Sequence, residues 1–261
     1  MQGGGEPETG AKVVGQPLHA GSYYIHRASG GGGLTRIAFA TDIHRDARIF
    51  PWLEAVARKF DLVAVGGDID FPYLGLRNYK LNFALYRLRP NAFQDGILRF
   101  AAREPGRRVV VVQGNHDNPD PRACNGTALE IAGLAVGGVG GSLPTGAGFP
   151  FELEEGGYRS VLQRLGRVDI LVVHQPPYDT RCDLAYTGSH AGSKAVREYV
   201  EREAPTLVLT GHIHESPGVD RIGGTTVLNP GPFFKGHYGV ADLAEGGVTA
   251  RVVDLSASAR P

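Results

Sequence analysis

The stretch Val109-Val110-Val111-Val112-Gln113-Gly114-Asn115-His116-Asp117 decides the predicted fold of this chain. Four consecutive valines are typical of a strand that is buried on both faces. Gly114 ends that strand, and a tight turn then presents three polar residues at its C-terminal end. Because open α/β sheets carry their chemistry at this end of their strands, the turn is a candidate functional site. A polar turn that merely caps a core strand is the alternative.

Four other apolar runs in the chain end in the same way, in aspartate or histidine. The runs cover residues 35–40, 62–65, 169–173 and 206–210. The polar segments that follow them are Asp42-Ile43-His44, Gly67-Asp68-Ile69-Asp70, His174, and His212-Ile213-His214. The sequence therefore predicts several strands whose C-terminal ends gather carboxylates and imidazoles.

The segments between these runs predict an α/β domain. Helical spacing of apolar residues predicts helices over residues 51–60, 79–103 (broken at Pro90), 156–165 and 189–203. Residues 129–142 predict short strands separated by glycines, and alternating patterns predict antiparallel strands over residues 225–228, 238–243 and 248–253. Residues 1–33 are expected to form a flexible segment rich in glycine and proline, and residues 34–261 a single folded domain.

Composition excludes several classes of protein. The 27 basic and 27 acidic residues cancel, so nothing indicates a surface that binds a polyanion. No apolar run approaches the ~18 residues of a membrane span, and no secretory signal is visible, so we expect a soluble, cytoplasmic protein without a membrane partner. Two cysteines are too few for a disulfide framework, although a single Cys124–Cys182 bridge stays open.

The polar residues at the five strand ends suit a metal site. They are neutral imidazoles, carboxylates and one amide, without a thiolate, and this donor set suits Zn, Mn or Fe. In an extended segment, residues i and i+2 point to the same side, so each of the pairs Asp42/His44 and His212/His214 can converge on one locus. The eight candidate residues are Asp42, His44, Asp68, Asn115, His116, His174, His212 and His214.

Together these motifs resemble those of the calcineurin-like metallophosphoesterases. The order Asp42-Ile43-His44, Gly67-Asp68, Gly114-Asn115-His116-Asp117, His174 and Gly211-His212-Ile213-His214 is the family's order, and the resemblance spans about residues 36–255. The segments 212–216 and 229–231 also resemble small prokaryotic phosphoesterases related to cyclic-nucleotide phosphodiesterases. The resemblance implies a four-layer αββα sandwich, in which two stacked mixed β-sheets are flanked by helices.

The resemblance also implies a role for each residue. One metal ion would be held by Asp42, His44 and His214, and the other by Asn115, His174 and His212. Asp68 would bridge two divalent or trivalent ions, which we expect to be Mn, Fe or Zn, with Ni or Co also compatible. A metal-bridging hydroxide would attack phosphorus, and His116 would protonate or stabilise the departing oxygen.

One position departs from the family pattern. The family's second aspartate, which orients the catalytic histidine, is replaced here by Phe71. Asp70, one residue earlier, is our first candidate for orienting His116, and Asp117 is the other. The predicted catalytic residues are therefore His116 and Asp70, while the residues that bind substrate are unknown.

The predicted function is hydrolysis of phosphomonoesters or phosphodiesters of small molecules by a dinuclear metal centre. A nuclease on the same fold is one alternative, but its nucleic-acid track calls for a basic stripe that the balanced charge does not favour. A catalytically silent binding or scaffold protein that retains the fold is another. Such a protein should have lost metal ligands, whereas all the candidate positions are intact.

Overall fold

The fold is described from a computed structural model that covers residues 34–72, 81, 91–104, 106 and 108–255. The predicted flexible segment 1–33 and most of the first part of the predicted helix over 79–103 lie outside the described residues. No helix within the described ranges is long and apolar enough to cross a membrane.

Eleven strands form two mixed β-sheets among the described residues. In chain order they are β1 Thr35–Ala40, β2 Leu62–Val65, β3 Val109–Val111, β4 Thr127–Ile131, β5 Leu134–Val139, β6 Ile170–Val173, β7 Leu207–Leu209, β8 Gly218–Ile222, β9 Thr225–Asn229, β10 His237–Ala244 and β11 Gly247–Asp254. The five-stranded sheet has the order β11-β10-β1-β2-β3, and the six-stranded sheet has the order β4-β5-β6-β7-β9-β8.

Helices cover the outer faces of the two sheets. They are α1 Ile49–Ala57, α2 Ala92–Arg103, α3 Glu155–Leu165 and α4 Lys194–Glu203, with a 3₁₀ turn at Phe233–Lys235. Side chains from α1 and α2 pack on one face of the five-stranded sheet, and those from α3 and α4 pack on one face of the six-stranded sheet. This arrangement confirms the predicted sandwich of two mixed sheets with flanking helices.

Side chains that point alternately to the two faces of a strand connect the layers of the fold. In β1, Ile37 and Phe39 face the apolar cluster between the sheets, where they join Val172 of β6 and Leu209 of β7. Ala38 of β1 instead faces α1 and α2. Because successive residues of a strand point to opposite faces, each central strand contributes to two apolar clusters and is buried on both sides.

The parallel strands bring the functional turns to common edges. Strands β1, β2 and β3 run parallel to one another, as do β5, β6, β7 and β9. Their C-terminal ends therefore lie side by side within each sheet, as the sequence predicts.

One strand prediction needs correction, and one strand was not predicted. The alternating pattern predicts that residues 225–228 pair antiparallel, but β9 pairs parallel with β7 and antiparallel only with β8. All five residues of β9 are buried, which is typical of a parallel strand covered on both faces. The prediction also missed β8, whose mixed polar sequence Gly218–Ile222 has little strand signal of its own.

The helix predicted over residues 189–203 begins later than expected. Its first residue is Lys194, and the Ser193 hydroxyl caps it by accepting a hydrogen bond from the Val196 N–H. The preceding residues instead form a loop around the buried Asp183 carboxylate, which accepts hydrogen bonds from the Thr180 and Gly192 N–H groups. These interactions compete with helix formation in that segment.

Both cysteine thiols are free and buried, so the single bridge that the sequence left open does not form. The Cys124 thiol donates a hydrogen bond to the Thr127 carbonyl, and Cys182 lies in the apolar cluster beneath α3 and α4. Burial raises the pKa of the Cys182 thiol to about 12.

Candidate metal centre

Two groups of potential ligand atoms meet at the strand ends. One group contains Asp42, His44, Asp68 and His214, and the other contains Asp68, His174 and His212. Within each group the ligand atoms all lie within 4.8 Å of one another. Asp68 belongs to both groups and is only 1% exposed. The structure thus brings together residues that are up to 172 positions apart in the chain.

The turns after β1 and β2 hold several of these residues in a strained backbone. Asp42, His44 and Asp68 have φ values of 54°, 48° and 51°, in the left-handed region that residues other than glycine seldom adopt. Hydrogen bonds between the turns hold them there: the Asp42 N–H donates to the Gly67 carbonyl at 2.9 Å, and the His44 N–H donates to the Asp68 carbonyl at 2.8 Å. Strain of this kind clusters at functional sites.

Two glycines allow the strand ends to approach closely. A Cβ on Gly114 would lie 2.0 Å from Asp68 Oδ1, and a Cβ on Gly211 would lie 2.1 Å from Thr41 Oγ1. Both distances are far shorter than a van der Waals contact, so neither position can carry a side chain unless its neighbours move. These glycines therefore let the β3 and β7 ends approach Asp68 and Asp42.

Two buried histidines are oriented by backbone carbonyls. His174 Nδ1 donates to the Gly66 carbonyl at 2.7 Å, and His44 Nδ1 donates to the Phe71 carbonyl at 2.5 Å. Each ring then directs Nε2 toward Asp68, at 3.4 Å for His174 and 3.9 Å for His44. An N–H donated to a carbonyl on the far side of the ring is the usual arrangement of a metal-binding imidazole.

The other two histidines of the site converge on Asp42. His214 Nε2 lies 3.1 Å from Asp42 Oδ1. The backbone N–H of His212 points at the same carboxylate, 3.2 Å from Oδ2, and His212 also has a left-handed φ of 66°. The six-stranded sheet thus contacts Asp42 through the imidazole of His214 and the backbone of His212.

The protonation states follow from burial and from these contacts. Burial would raise the pKa of Asp42, but the neighbouring His214 outweighs it and lowers the pKa to about 2. Burial lowers the pKa of His44 and of His212 to about 3 in each case. At neutral pH these groups are therefore a carboxylate and two neutral imidazoles, which are the forms that bind metal ions.

The pKa of His174 shifts in the opposite direction from those of His44 and His212. Burial disfavours its charged form, but Asp68 opposes this and raises the pKa of His174 to about 9. Burial would likewise raise the pKa of Asp68, but His116 and His174 outweigh it and hold that pKa well below its usual value. The carboxylates of the site thus attract positive charge to its centre.

Asn115 is a further candidate ligand. It is 1% exposed, and its Oδ1 is a buried acceptor without a hydrogen-bond partner in the described part of the chain. A buried acceptor left in this state is costly unless something satisfies it. Carboxylates, neutral imidazoles and this amide oxygen together fit divalent metal ions.

His116 lies beside the shared carboxylate. Its Nδ1 is 3.2 Å from Asp68 Oδ2, and its backbone N–H donates to Asp68 Oδ1 at 3.1 Å. Its ring contacts two phenylalanines, with centroid distances of 4.7 Å to Phe71 and 4.0 Å to Phe149. Phe149 carried no signal in the sequence, because it lies in a glycine-containing loop far from any strand end.

The two carboxylates proposed to orient His116 make other contacts. Asp70 accepts hydrogen bonds from the N–H groups of Phe93 and Gln94, at the start of α2. Asp117 accepts hydrogen bonds from the N–H groups of Ile69, Asp70 and Gly114. Among the described residues, neither carboxylate contacts the His116 ring, so the structure does not bring the expected pairs together.

A second phenylalanine that the sequence analysis missed borders the other side of the site. The Phe234 ring lies with its centroid 5.3 Å from that of His44 and 5.5 Å from that of His214. It belongs to the 3₁₀ turn, whose Phe233 N–H donates to the Thr41 carbonyl at 2.9 Å. Aromatic rings therefore border the site both near His116 and near His214.

The chain is similar in sequence to part of a curated protein. An uncharacterized protein of Methanocaldococcus jannaschii, MJ1162, is 40% identical over 111 residues, which make up 40% of this chain and 50% of that protein. The match thus spans half the length of this curated relative.

Solved structures share the fold. One crystal structure has a TM-score of 0.63 at 19% identity and covers 85% of this chain and 100% of its own. The crystal structure of TT1561 of Thermus thermophilus has a TM-score of 0.52 at 18% identity, with coverage of 85% and 100%. The family model for calcineurin-like phosphoesterases matches residues 35–216, which include His116 and all the candidate metal ligands. This match extends over more than half of the 261 residues, and the chain belongs to the calcineurin-like phosphoesterase family.

Proposed function

We propose that the protein is a dinuclear metal-dependent phosphoesterase that hydrolyses phosphomonoesters or phosphodiesters of small molecules. The observation that carries the proposal is the position of Asp68, which belongs to both groups of ligand atoms. Two cations held close together repel each other, and a shared carboxylate reduces that repulsion. Asp68 is the buried carboxylate in the right place to do so.

In this proposal one ion would be held by Asp42, His44 and His214 and the other by Asn115, His174 and His212, and both would share Asp68. The mixture of imidazole nitrogens with carboxylate and amide oxygens favours Mn, Fe or Zn and is compatible with Ni or Co. When bound, such ions lower the pKa of a water molecule to make a nucleophile and neutralise charge on the phosphate.

The chain itself supplies the acid. His116 lies with Nδ1 against Asp68, at 3.2 Å, so its Nε2 is directed away from that carboxylate. We propose that Nε2–H gives its proton to the leaving oxygen as the P–O bond breaks. General acids of this kind contribute about 10²–10⁴-fold to rate, most for leaving groups of high pKa.

Small phosphate esters fit the charge of the molecule. The 27 basic and 27 acidic residues balance, which gives no support to a nucleic-acid track. The full set of candidate ligands likewise gives no support to a catalytically silent scaffold. We also propose a cytoplasmic location, since the two buried thiols are unbonded, as is usual in reducing compartments.

A metal-exchange assay tests the proposal. Protein stripped with EDTA should be inactive on bis(p-nitrophenyl) phosphate and p-nitrophenyl phosphate, and Mn should restore hydrolysis of at least one of them. Calcium should not, because it prefers six to eight oxygen ligands and the proposed set is rich in imidazole. Elemental analysis of protein purified without chelator should find close to two ions per chain. Full activity with calcium, or metal-loaded protein without any hydrolysis, would contradict the proposal.

A further inference from the structure

The least expected contact in the site is the one between His116 and Phe149. Their ring centroids lie 4.0 Å apart in an edge-to-face arrangement, with an interplanar angle of 64°. Such aromatic contacts are favourable and directional. Phe149 is only half-buried, and its ring lies against the imidazole.

The loop that carries Phe149 is fixed at its base to the site. The Phe151 N–H donates to the carbonyl of Asn115, the residue before His116, at 3.2 Å. On the other side of the tip, the Thr145 N–H and hydroxyl both donate to the Glu152 carboxylate, at 2.8 and 2.6 Å. These hydrogen bonds close the loop and direct its tip toward the His116 ring.

Phe71 supports the ring from another direction. Its centroid lies 4.7 Å from that of His116 and 6.0 Å from that of Phe149. Phe71 is 4% exposed, and its carbonyl accepts the hydrogen bond from His44 Nδ1, which ties it to the site. The His116 ring therefore contacts two phenylalanine rings, lies with its centroid 5.4 Å from that of His44, and through Nδ1 contacts the carboxylate of Asp68.

We propose that Phe149, together with Phe71, positions the His116 imidazole so that Nε2 faces the leaving oxygen. The inference deepens the proposed function and rests on it. The contact between Nδ1 and Asp68 still leaves the plane of the ring able to tilt about that contact. The two phenylalanine rings restrict this motion, whereas Asp70 and Asp117 do not, since they hydrogen-bond to backbone N–H groups elsewhere. Phe149 and Phe71 are thus positioning residues, and His116 is the catalytic one.

The kinetic test compares Phe149→Ala with Phe149→Leu in the manganese-loaded enzyme. Phe149→Ala should lower kcat by about 10–10²-fold on an alkyl phosphate ester, as expected for a misplaced catalytic group. It should have little effect on a nitrophenyl ester, whose leaving group needs no proton, and it should leave KM and the metal content unchanged. Phe149→Leu should restore much of the loss. Phe50→Ala is the matched control, because Phe50 is also half-buried and its ring packs against another ring, Phe93, at 5.4 Å.

A double-mutant cycle separates positioning from a general structural effect. If Phe149 acts through His116, Phe149→Ala should add little to the loss caused by His116→Ala. Fully additive losses, or equal losses of Phe149→Ala on both esters, would overturn the proposal.

A spectroscopic readout keeps the inference testable even if neither ester is hydrolysed. In the zinc-loaded protein, Phe149→Ala should shift the His116 ring-proton resonances, because the ring at 4.0 Å is removed, and should increase the mobility of the imidazole. Phe50→Ala should do neither. Unchanged His116 resonances and relaxation in Phe149→Ala would overturn the positioning role, whereas inactivity of the metal-loaded wild type would overturn only the proposed function.

Discussion

The two sheets contribute different chemistry to the candidate centre. The candidate oxygen ligands, Asp42, Asp68 and Asn115, all lie on turns of the five-stranded sheet together with the candidate ligand His44, whereas the candidate ligands on the turns of the six-stranded sheet are all imidazoles. Contacts between the sheets pair the two kinds of group: His214 meets Asp42 at 3.1 Å, and His174 meets Asp68 at 3.4 Å. The carboxylates of one sheet stabilise positive charge on the other, so neither edge is a complete site.

The largest expected effect comes from the residue that both groups share. Asp68→Asn should abolish hydrolysis and reduce metal content at both positions, because the amide carries no charge to offset the repulsion between two cations. His174→Ala should also abolish hydrolysis but leave the ion at Asp42, His44 and His214 bound. Metal content by elemental analysis and binding isotherms for zinc would measure the difference.

His190→Ala is the control for these variants. The His190 ring is hydrogen-bonded to the Asp183 carboxylate, and neither residue belongs to a ligand group. It should retain activity and both ions. Near-native turnover of Asp68→Asn with two ions bound would show that the sheets do not share this ligand.

A smaller effect should follow from pushing the strand ends apart. Gly114→Ala would place a Cβ 2.0 Å from Asp68 Oδ1, and Gly211→Ala would place one 2.1 Å from Thr41 Oγ1. We expect each to lower the free energy of unfolding by about 1–3 kcal/mol, as overpacking does, and to weaken zinc binding. Urea denaturation and calorimetric titration would measure the two effects.

Gly156→Ala provides the matched comparison, because a Cβ there meets nothing within 4 Å and the residue lies in α3. Alanine is the better helix former, so this variant should be as stable as the wild type or more so. If Gly114→Ala bound zinc as tightly as Gly156→Ala, the close approach of β3 to Asp68 would not matter for the centre.

The smallest effect concerns Asp70, which the sequence suggested as a partner of His116. Because its carboxylate accepts the Phe93 and Gln94 N–H groups at the start of α2, Asp70→Ala should cost about 0.5–2 kcal/mol of stability, as loss of a helix cap does. At a temperature well below unfolding, its hydrolysis of alkyl and nitrophenyl esters should change by the same small factor. A selective loss on the alkyl ester would instead restore Asp70 as a positioning residue for His116.

The sequence alone determined the core strands and the residues at their ends. Runs such as Val109–Val111 are apolar at every position, which is typical of strands buried on both faces, and a polar turn follows the run, so the candidate ligands could be predicted without coordinates. Local sequence is sufficient to predict these strands and candidate ligands, because an apolar run followed by Asp or His lies within a few consecutive residues.

Tertiary structure alone decided how those ends are combined and supported. Local sequence does not reveal that β9 lies parallel to β7, that Asp70 caps α2, or that Phe149 reaches the His116 ring from a separate loop. Each depends on contacts between segments that are distant in the chain, and such contacts leave no periodic pattern in either partner. The positioning of His116 by aromatic rings is therefore a property of the folded molecule. The chemistry of the candidate metal ligands, in contrast, was visible in the sequence.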